Sequence, residues 1–242
     1  MPPTPPKDRL IVALDYPTAR EALHLVDSLE QTCQWFKVGI ELYYAAGNQI
    51  VEQLRNRGFN VFLDLKLHDI PNTVASAIHS VTQAGASLLT IHAAGGAAMM
   101  TAAAKAAKSP NAPRLLAVTV LTSMDTEQLS GIGITASPAD QVLRLARLAE
   151  ASGITGLVCS AEETALLRKH LPTDTLLVVP GIRPAGSSAG DQKRIATPGQ
   201  AIASGASLLV VGRPITRAAD PATAAHAILN EIEQEIASTS SV

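Results

Sequence analysis

The chain has 242 residues, 47% of them hydrophobic, and a formal net charge of −2. That length suits one large domain or two small ones with a substantial core, and near-neutral charge without a basic run argues against nucleic acid as the main partner. No apolar run reaches membrane-spanning length, and Cys33 and Cys159 fit neither a CxxC zinc site nor a disulfide scaffold, so buried thiols in a reducing cytosol are expected.

Met1 to Pro6 is proline-rich and lacks the apolar segment of a signal peptide, so residues 1–8 read as a loose tail. Leu10 to Leu14 is a short apolar strand ending at Asp15, and helical spacing runs from Thr18 to Leu29. Trp35 to Gly39 is a second strand, followed by one helix from Glu41 to Arg57 closed by Gly58. Val61 to Lys66 is the third strand, and its helix runs from Asn72 to Ala84. Ser87 to His92 is the fourth, with an alanine-rich helix from Gly95 to Lys108. Arg114 to Leu121 is the fifth; after a glycine-bearing link over Ser130 to Ile134, Pro138 to Ala151 is helical. Thr155 to Ser160, with its helix Ala161 to His170, is the sixth; Thr175 to Pro180 is the seventh. Ser207 to Gly212 is the eighth, and a helix from about Pro221 to Ile236 ends the pattern.

Continuous apolar strands belong to sheets covered on both faces. Eight such strands alternating with helices predict one closed (β/α)8 barrel, a TIM barrel, spanning the chain with no second domain. An open doubly wound sheet has little support, because no GxGxxG follows the first strand. In a barrel the chemistry gathers at the carboxyl ends of the strands. Those ends carry Asp15, Lys37, Asp64 with Lys66, His92, Thr122 with Ser123, Pro180, and Gly212 with Arg213.

The third strand is the most informative stretch. Period-two alternation puts Phe62, Asp64 and Lys66 on one face and Val61, Leu63 and Leu65 on the other. Asp69 follows, and Pro71 stands where a helix can begin. Charges closing an apolar strand are costly unless they meet water, a ligand or each other. Lys37, on the strand face opposite Phe36 and Val38, needs a counter-charge, and Asp64 and Lys66 on the neighbouring strand extend an alternating array of Lys37, Asp64, Lys66 and Asp69. Asp15 alone would read as a helix cap, Thr122 and Ser123 likewise, and the small-residue loop from Gly181 to Gln192 as a surface loop. Loops after the seventh and eighth strands commonly bind phosphate in such barrels, where Gly212 admits an anion and Arg213 offers a guanidinium fork. No metal site is expected, since lysines among aspartates 15, 64 and 69 compete with a cation. His68 and His92 have no triad partners and suggest structural or dimer-contact roles.

The segments LIVALD, FKVG, DLKLHDIPNT, TIHAAGG, LTSM, PGIR, DQKR and GRPI, between Arg9 and Arg217, resemble the orotidine 5'-phosphate decarboxylase family. Asp-x-Lys-x-x-Asp also occurs in related barrels, the 3-keto-L-gulonate 6-phosphate decarboxylases and hexulose-phosphate synthases, but LTSM and PGIR with DQKR fit the nucleotide enzymes. The resemblance implies cofactor-free loss of CO₂ from orotidine 5'-phosphate to give uridine 5'-phosphate (UMP), the last step of de novo UMP synthesis. It assigns the charged array to catalysis and puts the run Asp64, Leu65, Lys66, Leu67, His68, Asp69, Ile70, Pro71, Asn72 and Thr73 about the substrate. Asp15, Lys37 and Thr73 would meet ribose hydroxyls, Thr122 and Ser123 would line the pyrimidine pocket, and Pro180 is expected at the substrate. Arg183 and Gln192 would meet the phosphate, Gln192 also the base, under a loop that closes over the ligand. The resemblance further implies a homodimer in which Asp69, Ile70 and Thr73 reach the partner's site. A metal-dependent sugar-phosphate lyase and a catalytically silent nucleotide-phosphate binder are the rival readings.

Overall fold

A computed structural model describes residues 5–184 and 195–240. Eight parallel strands pair in sequence order: β1 (Leu10–Ala13), β2 (Trp35–Gly39), β3 (Asn60–Leu67), β4 (Leu88–His92), β5 (Arg114–Val118), β6 (Gly156–Val158), β7 (Leu176–Val179) and β8 (Leu208–Val211). β8 returns to β1, with Leu10 opposite Leu209 and Val12 opposite Val211, so the sheet closes into the expected (β/α)8 barrel.

Alternation along the strands sorts the core into two layers. Ile11, Ala13, Phe62, Leu88, Leu116, Val178, Leu208 and Val210 fill the barrel. Leu10, Val12, Phe36, Val38, Val61, Leu63, Leu89 and Ile91 pack outward against the helices. Helix boundaries follow local chemistry. Thr18 caps α1 (Ala19–Leu29) by accepting the Glu21 amide. Pro71 opens α4 (Pro71–Ala84), and Gly85 ends it in the left-handed region at φ 82°.

The structure corrects several expected boundaries. The segment from Glu41 to Arg57 is two helices, α2 (Ile40–Ala46) and α3 (Asn48–Asn56). Gly47 separates them at φ 60°, ψ −154°, a conformation open essentially to glycine alone. After α5 (Gly96–Ala106), the fifth strand stops at Val118, because its partner strand β6 ends at Val158. The chain then turns into an unforeseen helix, α6 (Thr126–Gly131), whose Asp125 and Gln128 form a capping box. α7 (Pro138–Ala151) and α8 (Ala161–His170) match expectation. Two more short helices, α9 (Pro198–Ala203) and α10 (Arg213–Thr216), flank β8, and α11 (Pro221–Ser240) is longer than its pattern suggested. Among the described residues no helix is long and apolar enough to cross a membrane. Cys33 and Cys159 are both buried and outside any disulfide, and burial pushes the Cys33 thiol up to about 12.

β5 and β6 approach closely at Gly156. A Cβ there would lie 2.5 Å from Leu116 Cδ2 and 2.9 Å from the Leu115 carbonyl oxygen. Gly156→Ala is therefore expected to destabilise the fold by about 1–3 kcal/mol, as overpacking does. Urea unfolding would measure it, and an unchanged midpoint would mean that the two strands part at no cost.

Candidate active site

The carboxyl ends of the strands form the barrel mouth, and β3 leaves regular pairing as it arrives there. Its register with β4 shifts between Leu63 and Leu67, and Lys66 sits at φ 51°. A left-handed conformation costs an L-residue about 1–2 kcal/mol, so neighbouring contacts must hold it. Lys66 N–H donates to Thr90 Oγ1 on β4 at 2.8 Å.

The charged side chains that follow from this geometry form a chain of contacts. Lys37 Nζ lies 2.9 Å from Asp15 Oδ1 and 3.6 Å from Asp64 Oδ2. Lys66 Nζ lies 2.8 Å from Asp64 Oδ1, and the Thr90 hydroxyl donates to the same oxygen at 3.0 Å. Asp64 is thus a mostly buried carboxylate between two ammonium groups. Burial pushes its pKa up, but Lys37 and Lys66, with hydrogen bonds from Lys66 and Thr90, hold it below the usual carboxylate value. Lys37 is only 8% exposed. Breaking such a pair costs about 3–5 kcal/mol because a buried charge is left uncompensated. Gly39 makes room for the cluster: a Cβ there would lie 2.9 Å from Lys37 Nζ and 3.2 Å from Asp15 Oδ1. Asp15, which alone reads as a helix cap, is instead an ion-pair partner; Thr18 does the capping.

Two cavities adjoin at this cluster. One, of about 250 Å³, is lined by Lys37, Asp64, Lys66, Thr122, Ser123 and Pro180, with walls from Phe62, Val118, Val158, Cys159 and Val210. The other, of about 440 Å³, is lined by Asp15, Lys37, Glu41, Pro180, Arg183, Gly212, Arg213 and Arg217. Lys37, Pro180 and Val210 belong to both. The first is an apolar slot with charge at one end, and the second gathers three arginines, so together they suit a flat ring joined to an anion. Arg217 and the apolar wall residues were not legible as site residues, since nothing in their local pattern separates them from surface or core. Gln192 and most of the loop from Gly181 lie outside the described residues.

The rest of the signature run stands on the rim. Leu65 and Leu67 pack against the outer core, while His68, Asp69, Ile70, Asn72 and Thr73 are exposed and Pro71 is half-buried. None of these lines either cavity. Asp69 Oδ1 accepts the Ile70 amide at 2.6 Å, and Ile70 is 67% exposed. Among the described residues Asp69 makes no ion pair with the array within its own chain. His68 stacks on His92 with ring centroids 5.4 Å apart. Burial, and then the charges of His68 and Lys66, lower the His92 pKa. Among the described residues no group of His, Cys, Asp and Glu side chains converges as a metal site. A larger cavity of about 590 Å³ lies outside the mouth, between α1 and the start of α11. Its charged residues Arg20, Glu21 and His24 are exposed, so it lacks the desolvated charge that marks the barrel mouth.

A family model described as orotidine 5'-phosphate decarboxylase / HUMPS family matches residues 8–228. A protein of Nitrosococcus oceani named orotidine 5'-phosphate decarboxylase is 51% identical over 227 residues, covering 93% of this chain and 98% of its own. A protein of the same name from Vibrio cholerae is 48% identical over 230 residues, covering 94% and 98%. The crystal structure of orotidine 5'-phosphate decarboxylase from Lactobacillus acidophilus superposes with a TM-score of 0.81 at 38% identity, covering 92% of this chain and 98% of that one. With the barrel closed, the Asp-x-Lys-x-x-Asp strand at its mouth and this likeness running through nearly the whole sequence, the chain belongs to the orotidine 5'-phosphate decarboxylase / HUMPS family.

Proposed function

We propose that this chain decarboxylates orotidine 5'-phosphate to UMP without a cofactor, in the cytoplasm, as the last step of de novo UMP synthesis. The observation that carries the reading is Asp64, buried between the Lys37 and Lys66 ammonium groups at the wall of the apolar slot. The names of relatives about half identical along the chain support orotidylate over a sugar phosphate.

In this reading the pyrimidine occupies the slot, with Thr122 and Ser123 toward its polar edge. Arg183, Gln192, Gly212 and Arg213 take the phosphate, and Asp15, Lys37 and Thr73 the ribose hydroxyls. The bond from C6 to the carboxylate breaks, CO₂ leaves, and the electron pair stays on C6. No electron sink is built into such a substrate, so fixed positive charge must lower the energy of the carbanion. Lys66 supplies that charge and then transfers an ammonium proton to C6, completing UMP. Asp64 and Lys37 keep the ammonium aimed. Lys66→Ala is expected to lower turnover at least about a thousand-fold while UMP binding stays measurable. Loss of orotidylate absorbance and calorimetric titration with UMP would read the two; near-normal turnover would remove Lys66 from its role.

Both Asp64 oxygens already face cationic or hydroxyl donors, which favours a metal-free site over the divalent-metal lyases of the same superfamily. Turnover in EDTA should equal turnover in magnesium. Magnesium dependence, or turnover of a ketose phosphate and not of orotidylate, would favour the lyase reading.

The exposed Asp69, Ile70 and Thr73 support a homodimer in which this rim segment completes the partner's site. Lys66→Ala and Asp69→Ala would then each be inactive alone, yet mixed dimers hold one intact site. Unfolding and refolding the two together should restore about a quarter of wild-type activity, since half the dimers are mixed and each has one working site. No recovery from chains shown to be mixed would place Asp69 in its own chain's site.

A further inference from the structure

Thr90 stands in the middle of β4, is 0% exposed, and reads in sequence as a β-branched strand residue like any other. Its surroundings set it apart. Among the described residues the other fully buried threonine, Thr164, donates its hydroxyl to a backbone carbonyl, that of Ser160. The Thr90 hydroxyl instead donates to an ionised carboxylate, Asp64 Oδ1, at 3.0 Å. Its oxygen meanwhile accepts the Lys66 backbone N–H at 2.8 Å. Lys66 Nζ comes back to the same Asp64 oxygen at 2.8 Å. The three residues therefore close a ring that joins the Lys66 main chain, Thr90, the Asp64 carboxylate and the Lys66 ammonium.

We infer that Thr90 is a positioning residue for the decarboxylation, holding the Lys66 backbone in its left-handed conformation and the Asp64 carboxylate in register, so that the ammonium stays aimed into the slot. The inference rests on the function proposed above. Its physical basis is that a hydroxyl has one proton to give, and here that proton goes to the carboxylate while a lone pair takes the amide. With Thr90 0% exposed, losing its hydroxyl leaves a buried amide and a carboxylate oxygen each short of a partner. The amide lies where the β3–β4 register shifts, so the strand ladder does not hold Lys66 by itself. Without the hydroxyl, the residue at φ 51° is free to relax, and its side chain moves with it. The β-branch adds stiffness, since it restricts χ1 and so fixes the direction of the hydroxyl.

The test is a set of substitutions at one position in the full chain: Thr90→Val, close in shape but without the hydroxyl, Thr90→Ala, and Thr90→Ser, which keeps the hydroxyl. Wild type and Lys66→Ala, prepared alongside, are assayed with orotidylate, and every variant is characterised by kcat, KM, UMP affinity and thermal midpoint. Thr90→Val and Thr90→Ala are expected to lower kcat by about ten- to a hundred-fold, as loss of alignment does, with KM and UMP affinity within about three-fold. Thr90→Ser should return kcat to within about three-fold of wild type. Thr90→Val at wild-type kcat overturns the inference. So does a loss in which kcat and UMP affinity fall together with the thermal midpoint and serine does not rescue, because that marks a packing role. If Thr90→Val does not fold, the comparison of Thr90→Ala with Thr90→Ser decides by the same criteria. A folded wild type inert toward orotidylate would condemn the proposed function, and this inference with it; an active wild type with an unaffected Thr90→Val condemns this inference alone.

Discussion

The mouth of this barrel depends on keeping one carboxylate ionised where water hardly reaches it. Asp64 meets that condition through Lys37 on one oxygen and Lys66 and Thr90 on the other. Each partner is in turn constrained. Lys37 is shared with Asp15, and Gly39 leaves no side chain to crowd that pair. Lys66 accepts a strained backbone so that its amide and its ammonium both turn toward the same small group of atoms. A buried charge cluster of this kind contributes little net stability, because desolvation offsets most of the attraction. What it provides is a fixed, preorganised field facing the cavity.

The barrel supplies the rigidity this requires. Phe62, two residues before Asp64 on the same strand face, belongs to the inner core and also to the wall of the slot. The charged residues thus continue the core layer at the carboxyl ends of strands whose earlier residues pair on both sides. The arginine-bearing cavity is assembled differently, from the segments after β7 and β8, and it meets the slot at Lys37, Pro180 and Val210. One lysine therefore borders both cavities and links the charge at the slot to the arginines of the second cavity.

Much of this was legible in the sequence because period-two alternation runs along most of the barrel's strands. Asp64 and Lys66 could be put on the face of Phe62, and Lys37 on the face opposite Phe36, from spacing alone. The strand count was legible for the same reason, and the main helices from their spacing of about 3.6 residues. Short helices were not: α6, α9 and α10 have too few turns for a periodic signal, although Asp125 and Gln128 did offer a capping box. The break at Gly47 was hidden because a glycine within a helical pattern is often simply tolerated. Asp15 was ambiguous, since an aspartate after a strand fits a cap and an ion pair equally well. The role of Thr90 is a relation between two strands 26 residues apart in the hydrogen bond it makes, and no local pattern encodes it.

The register shift between Leu63 and Leu67 has a consequence for how the gene can vary. It lies where a strand carrying charged side chains at the mouth gives way, after Leu67, to an exposed rim segment. Side chains across the bulge other than Asp64 and Lys66 have some latitude, but its length does not. Deleting one residue there would swap inward for outward faces beyond the lesion, and inserting one would do the same. Among descendants of this sequence, the stretch from Asp64 to Pro71 should thus remain closed to gaps, with exchanges of letters confined to positions outside the charged array.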